Sequence, residues 1–204
     1  PSPMTHEQLC CFGVDSSACI AGVDARTLAS GEDVGQKRQV MFIGRFDAEY
    51  KNLELLIQAM SMLDPSPQLL VVGPGDPNRW LGLCNSLGVS AAFAQLTDQE
   101  KVAELRASSC LIHPSEYEGF GLPPLEAMVV GTPVLAFSTP HMRWLLEEDA
   151  SYFSSHKGLA NLIADVLNNP IPYREKTLHG KERVLKGLTL EHAARRLWAH
   201  LHQV

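Results

Sequence analysis

The chain has 204 residues, 45% apolar and 20% charged, enough for one large globular domain. Its formal charge of -6 leaves no basic track of the kind a nucleic-acid binder needs, so any phosphate it takes must be held locally. No apolar run approaches the ~20 residues of a membrane span, and the first residues lack the basic start and apolar stretch of a signal peptide. The chain therefore reads as soluble and cytoplasmic, although one that opens on Pro1 leaves room for a leader removed earlier.

Cys10, Cys11, Cys19, Cys84 and Cys110 are scattered, odd in number and without a Cys-x-x-Cys pair. They read as reduced thiols used in packing, and with no clustered His or carboxylate beside them no metal site is expected.

Residues 1–38 follow no regular pattern, and Ser30 to Lys37 is polar and Gly-containing, as a linker is. From Gln39 short apolar runs alternate with amphipathic stretches, the pattern of a parallel α/β sheet with crossover helices on both faces. The predicted strands are Val40 to Ile43, Leu69 to Val72, Ala91 to Ala94, Leu111 to His113 and Val134 to Phe137. Among the helices, Asn52 to Leu63 carries Leu53, Leu56, Ile57 and Met60 on one face, and Thr97 with Glu100 makes a capping box. After Phe137 the chain turns helical. Leu159 to Leu167 form an apolar face that Pro170 and Pro172 end, and a last helix from Thr189 to about His202 buries Leu197 and Trp198. Residues 174 to 196 hold seven Lys or Arg against three Glu, which reads as a solvated helical face.

Ligands of such sheets bind beyond the carboxyl ends of the strands. Polar and Gly-rich residues collect there: Gly44-Arg45, Gly73-Pro74-Gly75-Asp76, Gln95, Ser115 to Gly121 and Ser138 to His141. Glu118 and Glu126 are separated by seven residues that include Gly119, Phe120, Gly121, Pro123 and Pro124. This predicts a tight loop running into a helix that starts near Leu122 or Pro123, its positive end facing the ligand edge. There the helix end suits a phosphate, and Glu126 makes better sense as an acceptor for a diol such as a ribose. Arg45 and Lys51, at the same edge, supply the cations a diphosphate needs. His113, beside Leu111 and Ile112, is assigned to the core edge and left outside the site; Trp80 and Trp144 are assigned to packing.

Gly44-Arg45 with Lys51-Asn52, then Val72-Gly73-Pro74-Gly75, Pro114-Ser115, the Glu118 to Glu126 segment with Ala127-Met128, and Gly131-Thr132-Pro133-Val134 occur in the order of the family 4 (group 1) retaining glycosyltransferases. The resemblance covers about residues 20 to 203. It implies a GT-B architecture in which residues 39–204 are the Rossmann-like donor domain, and residues 1–38 a remnant of the amino-terminal domain and linker. It implies that Arg45 and Lys51 contact the diphosphate, Glu126 the ribose, and Glu118 with the backbone of Phe120, Gly121 and Leu122 the donor sugar. Gly44 belongs to the same cradle, and Gln95 and Leu96 match the region that approaches the base.

The family works without an essential metal, and this sequence has no Asp-x-Asp motif; no cofactor is expected, the donor being a UDP- or GDP-linked hexose. The implied partners are a saccharide or lipid-linked acceptor and the acceptor domain, through which the protein would touch the cytoplasmic membrane face. A non-catalytic nucleotide-sugar-binding module or a subunit of a two-chain enzyme is the alternative. Two departures stand out. Ala21 occupies the place of the usual Asn before Gly22-Val23-Asp24, and the loop from Ser138 to Trp144 lacks the usual Gly-rich sequence.

Overall fold

The computed structural model describes residues 21–29 and 35–201. The expectations for Cys10, Cys11, Cys19 and most of the linker fall outside these residues. Six parallel strands, β1 (Gln39–Ile43), β2 (Gln68–Val72), β3 (Ala91–Ala94), β4 (Cys110–His113), β5 (Val134–Phe137) and β6 (Ser151–Phe153), form one sheet in the order β3-β2-β1-β4-β5-β6. All five predicted strands form, with Gln39, Gln68 and Cys110 added at their starts. β6 is an addition to the expected pattern. It holds register with β5 through Leu135↔Ser151, Ala136↔Tyr152 and Phe137↔Phe153, and is too short and too polar at its start to show as an apolar run.

The helices are α1 (Ala25–Ala29), α2 (Leu53–Met60), α3 (Asn78–Ser86), α4 (Asp98–Ala107), α5 (Leu122–Val130), α6 (Pro140–Leu146), α7 (His156–Asn168), α8 (Ile171–Gly187) and α9 (Leu190–Leu201). Successive strand residues point to opposite faces, and both faces are covered, so the strands are apolar on each. Val40, Phe42, Val71 and Ile112 pack under α2 and α7. Met41, Leu70, Leu111 and Val134 pack under α4, α5 and α6. Cys84 and Cys110 are buried thiols; burial pushes the Cys110 thiol up to about 12, so it serves as a small apolar side chain.

Local sequence accounts for most boundaries. The Thr97 side chain accepts from the Glu100 N–H while Glu100 reaches back to the Thr97 N–H, closing the capping box at α4. α7 ends at Asn168 as expected, but Pro170 and Pro172 begin a helix as much as they end one. Pro172 sits in the first turn of α8, where a missing N–H costs nothing. Gly180 lets α8 cross α5 closely, since a Cβ there would lie 2.9 Å from Met128 Sδ. Trp198, expected to pack, is largely exposed, because α9 turns little of its surface toward the described core. No described helix is long and apolar enough to cross a membrane.

In the order β3-β2-β1-β4-β5-β6 the crossovers change direction between β1 and β4. That opens a crevice at the carboxyl ends of these two strands, where an open α/β sheet binds its ligands.

Candidate functional site

The loop after β1 reaches Gly44 with φ +152° and runs over Arg45 to a 3-10 turn, Glu49–Lys51. Its neighbour after β2 lies close enough that a Cβ on Gly73 would come 2.2 Å from the Gly44 carbonyl oxygen. The approach of the two loops therefore requires glycine at 73, and the positive φ favours it at 44. Beyond the turn, Asn52 in the left-handed conformation sends its side-chain amide to the Pro114 carbonyl at 3.2 Å, and the Glu116 N–H donates to the Tyr50 carbonyl at 2.9 Å. These two bonds staple the β1 loop to the β4 loop across the crevice.

The staple brings Lys51 against Glu118. Lys51 Nζ lies 2.5 Å from Glu118 Oε1, with 12% and 13% of the two side chains exposed. His113 Nε2 approaches the same oxygen at 3.1 Å, but off the alignment of a hydrogen bond, and is left without a bonded partner among the described residues. Burial pushes the Glu118 carboxyl up, but the imidazole of His113 and the ammonium of Lys51 outweigh it and hold the carboxyl at about 2, against an ordinary 4.5.

Gly121, with φ +102° and ψ 49°, starts α5. The left-handed backbone favours glycine here, and α6 closes over the turn, with Met142 Cε 2.9 Å from where a Cβ would lie. His141 Nε2 contacts the Phe120 carbonyl at 2.8 Å, tying the loop after β5 to the same turn. No side chain caps α5. Pro123 and Pro124 carry no N–H, so of the amides at this end that lack an intrahelical partner only those of Gly121 and Leu122 can donate. The anion-binding capacity of this end is thus smaller than the helix dipole alone would give.

Glu126 lies one turn into α5, bonded to Lys101 of α4 at 3.1 Å; Lys101 also approaches Asp98 at 3.4 Å. Arg45 is exposed and approaches Asp47 at 3.8 Å. Gln95 is exposed on the loop between β3 and α4, while Leu96 is half-buried against the core. Trp80 is buried, as expected of a packing residue, and Trp144 stands beside His141 at 5.7 Å between ring centroids.

The fold therefore brings Gly44, Lys51, Glu118 and Gly121 to the crevice between β1 and β4, with Phe120 and Leu122 beside them. Glu126 lies deeper, facing α4. Sequence reasoning missed two neighbours. Lys101 is four residues past the cap Thr97, on the helix that follows Gln95-Leu96. His113, assigned to the core edge, is buried there and also touches Glu118; its place at the last residue of a strand on the ligand edge was the available signal. Among the described residues no group of three His, Cys, Asp or Glu could hold a metal ion.

Residues 26–182 match the family model "Glycosyl transferases group 1". Phosphatidyl-myo-inositol mannosyltransferase of Mycobacterium tuberculosis is 31% identical over 150 residues, covering 69% of this chain and 40% of its own length. Sucrose-phosphate synthase of Thermosynechococcus elongatus superposes with a TM-score of 0.84 at 26% identity, over 99% of this chain and 56% of its own. Anabaena HepE, in a structure with UDP-glucose, shares the fold with a TM-score of 0.89 at 17% identity, over 100% of this chain and 62% of its own. The chain thus spans less than two thirds of the length of these proteins. It belongs to the group 1 glycosyl transferases.

Proposed function

We propose that this chain supplies the donor site of a glycosyltransferase that moves a hexose from a nucleotide diphosphate to an acceptor with retention and without a metal ion. The supporting observation is the gathering of Gly44, Lys51, Glu118 and the start of α5 at the crevice between β1 and β4. In this reading residues 39–204 are the donor-binding domain and the acceptor is bound by other parts of the enzyme.

Arg45 and Lys51 meet the diphosphate. Arg45 is free to do so because an exposed 3.8 Å ion pair holds it weakly. Lys51 has three donors and shows one to Glu118. As the bond between the anomeric carbon and the diphosphate oxygen breaks, these charges and the Leu122 amide stabilise the departing oxygen, while the acceptor oxygen forms the new bond to that carbon and its proton passes to the diphosphate. Glu118 and the backbone of Phe120 to Leu122 hold the sugar, Glu126 accepts from the ribose, and Gln95 and Leu96 approach the base. Mannosyltransferases among the relatives and UDP-glucose in HepE favour a GDP- or UDP-linked hexose.

The ribose assignment predicts that Glu126→Ala weakens binding of both a sugar nucleotide and its nucleoside diphosphate about tenfold, the value of roughly one charge-assisted hydrogen bond. Glu49→Ala, at an exposed position on the same edge, leaves both unchanged. Calorimetry with GDP-mannose, UDP-glucose, GDP and UDP reads this directly. Unchanged affinity in a folded Glu126→Ala variant removes the assignment.

A further inference from the structure

Two buried side-chain polar atoms among the described residues lack a hydrogen-bond partner, His113 Nε2 and Ser115 Oγ. They are two residues apart, at the end of β4 that opens into the site. An unsatisfied buried polar atom is destabilising, and folded interiors contain few of them. That both fall at one strand end ties the cost to the site and not to general packing.

His113 is only 2% exposed, and its Nε2 faces Glu118 Oε1 at 3.1 Å. A ring nitrogen that faces a carboxylate oxygen is favourably placed only when it carries the proton, which makes Nε2 the donor and assigns the tautomer. The Lys51 contact falls on the same Oε1. Both approaches therefore grip one oxygen of Glu118, and neither is made to Oε2. A carboxylate held through one oxygen presents the other in a fixed direction, as a directional bond to one sugar hydroxyl requires. The misaligned His113 contact fits a ligand-free site, since hydrogen bonds of this kind are often long or poorly aligned before the ligand arrives and tighten with it.

We propose that His113 is a positioning residue for the donor sugar. With Lys51 it fixes Glu118 Oε1, so that Oε2 accepts from a hydroxyl of the hexose. This rests on the donor-site reading above and extends it to a residue whose burial alone would suggest packing.

The test compares His113→Leu, which removes the donor, with His113→Gln, whose amide nitrogen reaches near the Nε2 position. Calorimetry is run with GDP-mannose and UDP-glucose and with GDP and UDP. His113→Leu is expected to lose about tenfold in affinity for whichever sugar nucleotide the unmodified chain binds, and to keep its affinity for the corresponding diphosphate. His113→Gln is expected to recover most of the loss. A purely structural histidine would give either no loss or an equal loss for sugar nucleotide and diphosphate, and either result overturns the proposal.

Should His113→Leu fail to fold, nitrogen NMR of the histidine-labelled unmodified chain carries the same test. The His113 Nε2–H signal is expected to move with the sugar nucleotide and to stay with the diphosphate; a signal indifferent to the sugar overturns the proposal. Failure of the unmodified chain to bind any of these ligands removes the donor-site reading itself. Binding that His113→Leu leaves intact removes the role of His113 alone.

Discussion

Lys51→Met is expected to weaken sugar-nucleotide binding by about a hundredfold and to cost about 2 kcal/mol of stability, because one substitution removes a diphosphate contact and strands a carboxylate. Glu118 would remain mostly buried, facing His113 without the ammonium 2.5 Å away. The two effects separate in the double variant Lys51→Met/Glu118→Gln, which recovers most of the stability and none of the binding. Urea titrations and calorimetry on the unmodified chain and the two variants read both. The pairing also has a pH signature. The Glu118 carboxyl is depressed in the folded chain, so the stabilisation is fully present above its ordinary 4.5 and is lost as pH falls toward about 2. The unmodified chain should therefore lose this contribution on acidification from pH 5 to about pH 2, and Lys51→Met should lose less. Equal acid sensitivity in the two contradicts the assignment.

Arg183→Ala is expected to cost about 3 kcal/mol and to leave donor affinity unchanged. Asp149, just before β6 at the edge of the sheet away from the site, is 2% exposed at its side chain and receives Arg183 Nε at 2.6 Å and His179 Nδ1 at 2.5 Å. A second Arg183 nitrogen donates to the Leu145 carbonyl at 3.0 Å. The cluster fastens α8 to the segment that follows α6. Removing the guanidinium leaves a buried carboxylate with only the exposed imidazole to offset it. Chemical denaturation measures the loss, and the same sample titrated with a sugar nucleotide shows whether the site is intact. A folded variant with much weaker donor binding would mean that this edge and the crevice are coupled.

Much of the fold was legible because its determinants are local. Five strands announce themselves as largely apolar runs of three or four residues, Thr97 and Glu100 declare a helix start three residues apart, and Gly121 with Pro123 and Pro124 marks the turn into α5. β6 was not legible: Ser151, Tyr152 and Phe153 become a strand only because the edge of β5 offers them partners. The division of α7 and α8 was half legible, since a proline pair signals a break and a first turn equally well.

In the site, the residue types were visible and the pairings were not. Arg45 and Lys51 read as two equivalent cations from the sequence, yet the fold buries Lys51 against Glu118 and leaves Arg45 exposed. Lys101 meets Glu126 from 25 residues away, and Asp149 meets Arg183 from 34. Such partners depend on which crossover helices end up side by side, and no local pattern encodes that.

Amide NMR of the nitrogen-labelled chain, recorded while GDP-mannose or UDP-glucose is titrated in, tests the donor-site account most directly. The account predicts that the signals of Gly44, Glu118 to Leu122 and Leu125 move with at least one of the two ligands, while those of Asp149 and Arg183 stay. Shifts confined to another part of the sheet, or no shift with either ligand, would contradict it.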